Sequence, residues 1–300
     1  MKSKGGEIMF KRRPLQSKSE VWMRNIAMGF LIIYMTIFLI IPVIIVIAGS
    51  FHQWNPLNQT YNWIGLDNYI RMFSYPTFWQ SMGNTVLFCV VVVFFRVALG
   101  LAIAYTLNSK LMKHKTLFRT IFYMPTVTPL VAVAYVWKIM YNPQFGLIDN
   151  IFGLDINWLF DSKFALPALM VMTIWKDFGY AVILFLSGLL SLPSDCYESA
   201  SIDGANAWQT FRYITLPLLK PTMLFVVVTS IISYLQAYVP VLVMTTGGPG
   251  TSTYLSSYLV YDQAFKQYNF GFASAISLFI LVLTALFTVI SFRVTGAKES

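Results

Sequence analysis

Six apolar runs, each about twenty residues or longer, constrain this 300-residue chain more than any other feature; they lie near 26–49, 84–107, 118–140, 166–190, 222–244 and 270–292. Wound as a helix, a run of that length covers the roughly 30 Å hydrocarbon core of a bilayer. Composition points the same way: 57% of the residues are hydrophobic and 11% charged, where soluble domains have about 45–50% and 25%. The expected fold class is all-α, a polytopic membrane protein with six transmembrane helices. Basic residues precede the first run as they would in a signal peptide, but the run is too long for one, so it reads as an uncleaved helix.

Lysine and arginine set the orientation. The N-terminal stretch carries Lys2, Lys4, Lys11, Arg12, Arg13, Lys18 and Arg24, and the 108–117 loop with its border carries Lys110, Lys113, Lys115 and Arg119. Loops on the other side are longer yet hold only Arg71, Lys138, Lys163 and Lys266. By the positive-inside rule both termini are cytoplasmic, and with them the polar stretch 191–221. This gives cytoplasmic tails at 1–25 and 294–300 around a six-span domain at 26–293. The net charge of +9 follows from this topology, so a nucleic-acid partner is not expected.

Several chemistries are missing. No Gly-x-x-x-x-Gly-Lys-Ser/Thr phosphate loop occurs, and no Gly-Lys pair. Cys89 lies inside an apolar run and Cys196 in the charged loop, so no disulfide or metal site follows. His52 and His114 fall on opposite sides of the membrane, and no Ser-His-Asp set can be assembled. The chain is expected to have no catalytic residue, no metal and no cofactor of its own. Any nucleotide hydrolysis that its function requires would come from a partner.

The stretch Glu198–Pro221 is a polar, amphipathic island between two apolar runs. At helical spacing Tyr197, Ala200, Gly204, Trp208 and Phe211 fall on one stripe, with Asp195, Asp203 and Arg212 elsewhere. Small residues (Ser199, Ala200, Ser201, Gly204, Ala205) keep part of the surface low. Gly204 can bend the chain, and Pro217 and Pro221 force a change of direction. The implied shape is helix, bend, helix, suited to a groove on another protein. A helix lying on the bilayer would favour Lys and Arg on its polar face. Here Asp195, Glu198 and Asp203 would be repelled by anionic lipid, so docking on protein is expected.

With Glu198, Asp203-Gly204-Ala205, Phe211, Leu216-Pro217 and Pro221 at these spacings, the segment resembles the "EAA" loop of the membrane subunits of binding-protein-dependent ABC importers. Ser199 departs from the usual Ala there. The resemblance extends over about 25–293 through Ser50-Phe51, Trp54, Ile64-Gly65-Leu66-Asp67-Asn68-Tyr69, Asn84-Thr85, Phe118-Arg119, Pro125, Pro129, Trp137, Asn142-Pro143, Gly146 and Thr246–Gly250. The Ile64–Tyr69 segment is similar to the first permease of carbohydrate-uptake systems of the maltose, multiple-sugar and glycerol-phosphate type.

The resemblance implies the type I ABC importer permease fold, in a bacterial or archaeal cell membrane. It also implies a second homologous permease, an extracytoplasmic sugar-binding protein, and two cytoplasmic ATPase subunits that carry ATP and Mg. The substrate would be a sugar or oligosaccharide, with glycerol phosphate as the alternative. Coupling to the ATPase would fall to Tyr197, Glu198, Ala200, Asp203, Gly204, Ala205 and Trp208, with Glu198 in a salt bridge to a basic residue there.

Ionisable residues at mid-membrane cost about 2.5–3.5 kcal/mol or more and each needs a reason. For Arg96 that cost favours an interhelical partner or a carbonyl contact over a pathway charge. Lys176 and Asp177 are adjacent, point about 100° apart and need not pair; they either bind hydroxyls or hold helices together. Ser230, Tyr234 and Tyr238 repeat every four residues, and Tyr180 lies a turn beyond Asp177; rings beside hydroxyls suit a sugar as well as helix packing. The family's substrate pocket lies mid-membrane, which places Lys176, Asp177, Tyr180, Ser230 and Tyr234 on a candidate substrate path. A secondary transporter driven by Arg96, Lys176 and Asp177 is the competing reading, although no internal repeat supports it. Pro125, Pro129 and Pro240 are expected to kink their helices or leave backbone carbonyls free. The Gly247–Gly250 turn is either a tight outer connection or a contact for a docked binding protein.

Overall fold

The computed structural model describes residues 18–109 and 112–294. Lys2, Lys4, Lys11, Arg12, Arg13 and Lys110, which carry much of the orientation argument, lie outside the described residues, as does nearly all of the 294–300 tail. The chain divides into two compact units, Met1–Ala48 and Gly49–Ser300. In the first, α1 (Lys18–Met35) passes through a wide π turn, Thr36–Ile40, into α2 (Ile41–Ser50), whose last two residues already belong to the second. Phe30, Ile32, Ile33, Phe38 and Leu39 stand out around it, an all-round apolar surface that suits lipid.

The second unit opens with a hairpin of β1 (His52–Asn55) and β2 (Thr60–Trp63), antiparallel, His52 opposite Trp63 and Asn55 opposite Thr60. The Asn55 side chain fixes its turn by accepting from the N–H groups of Leu57 at 2.9 Å and Asn58 at 3.3 Å. This hairpin is an addition to the all-helical expectation; the candidate membrane spans among the described residues are helical. After α3 (Asp67–Ser74) comes α4 (Pro76–Asn108), whose 33 residues start well before the run expected at 84. Pro76 begins it where a missing N–H has no helical partner to lose.

The third run is two helices, α5 (Lys115–Val127) and α6 (Leu130–Met140), bent by 93°. Pro125 sits inside α5 without ending it. The break falls at Thr128-Pro129, where Thr128 is extended (φ −69°, ψ 137°), as the residue before a proline prefers. Beside it a recess of about 560 Å³ is lined by Arg119, Tyr123, Val127, Thr128, Pro129 and Ile183.

Next come α7 (Leu147–Phe152) and the unbroken α8 (Ala165–Leu190). The polar island forms α9 (Ser194–Ile202), α10 (Ala207–Thr210), a π turn at Phe211–Thr215 and α11 (Leu216–Leu218). Segment 207–218 meets α12 (Lys220–Leu235) at 64°. The fifth run does not continue to 244 as one helix: Gln236–Tyr238 interrupt it before α13 (Val239–Met244). Pro240 therefore starts a short helix where a kink was expected. The chain closes with α14 (Ser256–Tyr261), a π turn at Asp262–Lys266 and α15 (Phe270–Val294). Among the described residues four continuous helical stretches are long and apolar enough to cross a membrane, or up to six if each of the two bent pairs counts as one span.

Helix α8 is the hub, packed on α4, α5 and α12. Two glycines allow the closest crossings. A Cβ on Gly100 would lie 2.6 Å from the Ala181 Cβ, and one on Gly179 would lie 1.9 Å from the Phe122 carbonyl oxygen. Without a hydrophobic drive between helices in lipid, such close packing is a main source of association. Phe88, Val92, Leu169, Met172, Leu255 and Tyr258 fill one buried cluster, and Ala104, Leu107, Val182, Phe185, Leu219 and Val226 fill another. These two clusters lie on either side of the polar residues of α4 and α8 along the chain.

Candidate functional site: a mid-membrane charge cluster and a bent loop

The hub brings four helices to one polar cluster. Arg96 on α4 donates from Nη1 to the Tyr234 hydroxyl on α12 at 3.2 Å, and that hydroxyl donates to Asp177 Oδ2 on α8 at 3.1 Å. Lys176 Nζ lies 3.4 Å from Asp177 Oδ1. The same ammonium donates to the Thr126 carbonyl at 3.2 Å, while the Thr126 hydroxyl donates to the Lys176 carbonyl at 2.9 Å. Lys176 and Asp177 were not required to pair, yet they do. The carbonyls of the last turn of α5 lack helical partners and sit at the negative end of its dipole. The long lysine stem turns toward them, which carries its ammonium past the neighbouring carboxylate.

Arg96 is 6% exposed, and the interhelical partner that its burial called for is Tyr234. Its guanidinium carbon lies 5.5 Å from the centre of the Tyr180 ring and 5.7 Å from that of Tyr234, within cation–π range. Tyr180 is partly open to the surface, and the Asp177 side chain is 25% exposed. A solute with hydroxyl groups could bond to Asp177 while lying against Tyr180. Ser230 is not part of this network: its hydroxyl donates to the Val226 carbonyl of its own helix. Tyr238 falls beyond the end of α12 and stacks on Tyr261.

The second site is the loop. Helix α9 ends at Ile202, and Gly204 takes the left-handed conformation (φ +74°). Ala205 N–H bonds back to the Ala200 carbonyl at 2.9 Å, closing the turn. Asn206 then starts α10 with a reciprocal cap: its side chain accepts from Gln209 N–H at 2.9 Å, and Gln209 Oε1 accepts from Asn206 N–H at 2.8 Å. Tyr197, Ala200, Gly204, Trp208 and Phe211 therefore do not share one helical stripe, since the bend splits them between two helices.

Tyr197 and Ala200 face inward: the tyrosine hydroxyl lies 3.1 Å from Thr215 Oγ1, and Ala200 is buried. Glu198 and Asp203 are exposed, Ala205 half-buried, and nothing lies within 4 Å of where a Gly204 Cβ would sit. Trp208 is 68% exposed, its ring 5.9 Å from that of Phe211, which in turn packs on Tyr105 at 4.8 Å. The exposed apolar surface is completed by Ile202 (86%) and Tyr213 (74%). Sequence reading missed both because they lie off the stripe; their only signal is apolar character within a polar island. A recess of about 560 Å³ opens where the loop meets the ends of α4 and α8, among Tyr105, Asn108, Leu189, Tyr197, Ser201 and Ala207.

At the opposite end, Thr246 through Gly250 form a turn with Gly247 at φ +94° and Gly250 at φ +59°. Asn84 on α4 donates to the Ser252 and Tyr254 carbonyls, each at 3.0 Å, and the Tyr258 hydroxyl donates to the Thr246 carbonyl at 2.7 Å. Lys266 donates to that hydroxyl at 2.6 Å and lies 3.4 Å from Asp262. The hydrogen bond to Tyr258, and next to it the charge and hydrogen bond of Asp262, hold the ammonium above its ordinary pKa. Among the described residues, no three of His, Cys, Asp and Glu gather into a metal-binding set.

Helices able to span a membrane, a bent, partly apolar loop and a buried charge cluster are features that a membrane transport component can use. The chain belongs to the family of binding-protein-dependent transport system inner membrane components, whose profile matches residues 96–297. It is 37% identical over 268 residues to a probable ABC transporter permease of Pyrococcus horikoshii, covering 87% of this chain and 91% of that protein. With the trehalose/maltose transport system permease of Thermococcus litoralis it shares 35% identity over 288 residues, 92% and 96% of the two chains. Among solved structures, a chain of a bacterial ABC transporter that imports the acidic polysaccharide alginate superposes with a TM-score of 0.81. That match spans 94% of this chain and 98% of that one at 23% identity, and so speaks to the fold. The protein is thus a permease subunit of an ABC importer.

Proposed function

We propose that this permease imports a carbohydrate, a sugar or oligosaccharide handed over by an extracytoplasmic binding protein. It works as one half of a membrane pair with a second, homologous permease. Two cytoplasmic ATPase subunits, which bind the ATP and Mg, supply the energy. Both termini and the 191–221 loop then face the cytoplasm.

The observation that carries this reading is the loop. Its left-handed turn at Gly204 sets two short helices at an angle, and Ile202, Trp208 and Tyr213 present an apolar surface beside the acidic Glu198 and Asp203. Such a surface suits a protein cleft that is apolar within and basic at its edge. Transport of trehalose and maltose by the Thermococcus litoralis system supports the carbohydrate assignment, as does the pairing of tyrosine rings with Asp177. The test is purification in mild detergent from the native membrane, with mass spectrometry of what accompanies the chain, followed by uptake of radiolabelled oligosaccharides in reconstituted vesicles. Recovery with a second six-span protein and a nucleotide-binding ATPase is expected. Recovery of the chain alone, under conditions that keep known complexes intact, refutes the reading.

A further inference from the structure

The cluster between α4, α8 and α12 contains two cations and one carboxylate. Lys176 and Asp177 pair with each other, whereas Arg96 has no carboxylate within ion-pair distance among the described residues. Of the five N–H donors of Arg96, one reaches an acceptor, the Tyr234 hydroxyl, and its buried Nε has none. An excess cation held this deep calls for a counter-charge. From this imbalance, and resting on the transport reading of the site, we infer that the cluster takes an anionic group of the passing substrate. The carbohydrate this permease carries is then an acidic one, bearing a carboxylate.

Two features favour a visiting anion over a permanent one. The Tyr180 and Tyr234 rings cradle the guanidinium at 5.5 and 5.7 Å, and the negative faces of such rings partly offset a cation with no counter-ion present. A site that fills and empties in each cycle needs that provision; a fixed carboxylate from a partner would make it redundant. The cluster also meets the surface, because Tyr180 and Asp177, the neighbours of the buried Arg96, are partly exposed. A ring sugar could rest on Tyr180 and direct its carboxylate to Arg96, where a bidentate pair fits the planar guanidinium.

The test uses the whole importer in nanodiscs, with its own binding protein and ATPases, and reads ATP hydrolysis. Trisaccharides are offered in matched pairs, each as the neutral sugar and as its C6-carboxylate form, galactotriose with trigalacturonate among them. The acidic member should stimulate hydrolysis, and Arg96→Gln should reduce that response by about tenfold or more, with Arg96→Lys restoring part of it. Asp177→Asn removes the cluster's one carboxylate among the described residues, so the ratio of acidic to neutral response should rise. Equal stimulation by both members, unchanged in these variants, overturns the inference. So does an Asp177→Asn variant that lowers both responses alike, the mark of a merely structural role. Loss of the second permease from the Arg96→Gln complex assigns the missing carboxylate to that partner, and also overturns it. Failure of every pair to stimulate refutes the carbohydrate reading itself, and the inference falls with it.

Discussion

Replacing Gly179 with alanine tests the packing at the hub directly. The added Cβ would lie 1.9 Å from the Phe122 carbonyl oxygen, 2.8 Å from its carbon and 3.1 Å from the Tyr123 Cα. All three are backbone atoms, so no side chain can swing aside. Helices α5 and α8 must part by about 1.5 Å, the gap between 1.9 Å and the 3.4 Å at which ordinary contact begins. The same separation stretches both hydrogen bonds between Thr126 and Lys176, now 2.9 and 3.2 Å, beyond useful length. Overpacking of this kind costs about 1–3 kcal/mol, and each interhelical bond in a membrane adds about 0.6, for a loss of about 2–4 kcal/mol. The assay is reversible SDS titration in mixed micelles, followed by tryptophan fluorescence. Gly83→Ala serves as the control, since Gly83 is also helical but has nothing within 4 Å of its virtual Cβ; it should be neutral or slightly stabilising. If Gly179→Ala unfolds at the same SDS fraction as the wild type and the control, α5 and α8 do not cross as described.

Three further outcomes are expected. At Gly204, alanine should strain the left-handed turn by about 1–2 kcal/mol while asparagine tolerates it, so the ratio of ATP hydrolysed to solute imported should worsen for alanine and hold for asparagine; a valine variant with normal coupling would remove the turn from the mechanism. Tyr234→Phe deletes the hydroxyl between Arg96 and Asp177 and should cost about 1–3 kcal/mol in the same SDS titration, which an unaltered midpoint would contradict. Lys266 has a folded-state pKa raised above its ordinary 10.5 by Tyr258 and Asp262. Its contribution is therefore fully present below that value and is lost as pH climbs through the folded one, so the alkaline end of a thermal-melting series should flatten in Lys266→Met.

The spans were legible because a helix in lipid needs about twenty apolar residues, and little else in a chain of this kind supplies that. Breaks within spans were harder to read. Pro125 and Pro129 look alike in the sequence, yet α5 continues through the first and ends just before the second. A proline announces a missing hydrogen bond, while the packing around it decides whether the helix bends or stops. The interruption at Gln236–Tyr238 hides in an apolar run for the same reason. Lys176 and Asp177 show the limit of angular reasoning: a 100° offset fixes where Cβ atoms point, and a four-carbon stem can cancel it. In the loop, Gly204 was readable as a bend, but a stripe drawn through that bend kept helical phase where the chain had lost it. Tyr197 and Ala200 consequently face the protein, and Ile202 and Tyr213 take the outward places. The hairpin at 52–63 was signalled only by the turn-forming Asn55-Pro56 and Asn58 between aromatic residues.

The break at Thr128-Pro129 treats its two ends unequally. On the carbonyl side, side chains step in: Thr128 Oγ1 donates to the Met124 carbonyl at 3.1 Å and Lys176 Nζ to that of Thr126 at 3.2 Å. On the amide side, Val133 is the first residue of α6 to bond back, to the Pro129 carbonyl at 3.1 Å, and the N–H groups of Leu130, Val131 and Ala132 have no carbonyl one turn behind them. Amides in that position inside a bilayer need neighbouring protein, side chains or ordered water to satisfy them, and the adjoining recess leaves room for water. The third span is therefore expected to hold water at one point of an otherwise dry wall. In deuterated buffer these three amides should exchange in the time of a surface loop, while their neighbours in α8 stay protected, and the resting importer must keep that moisture from becoming a leak.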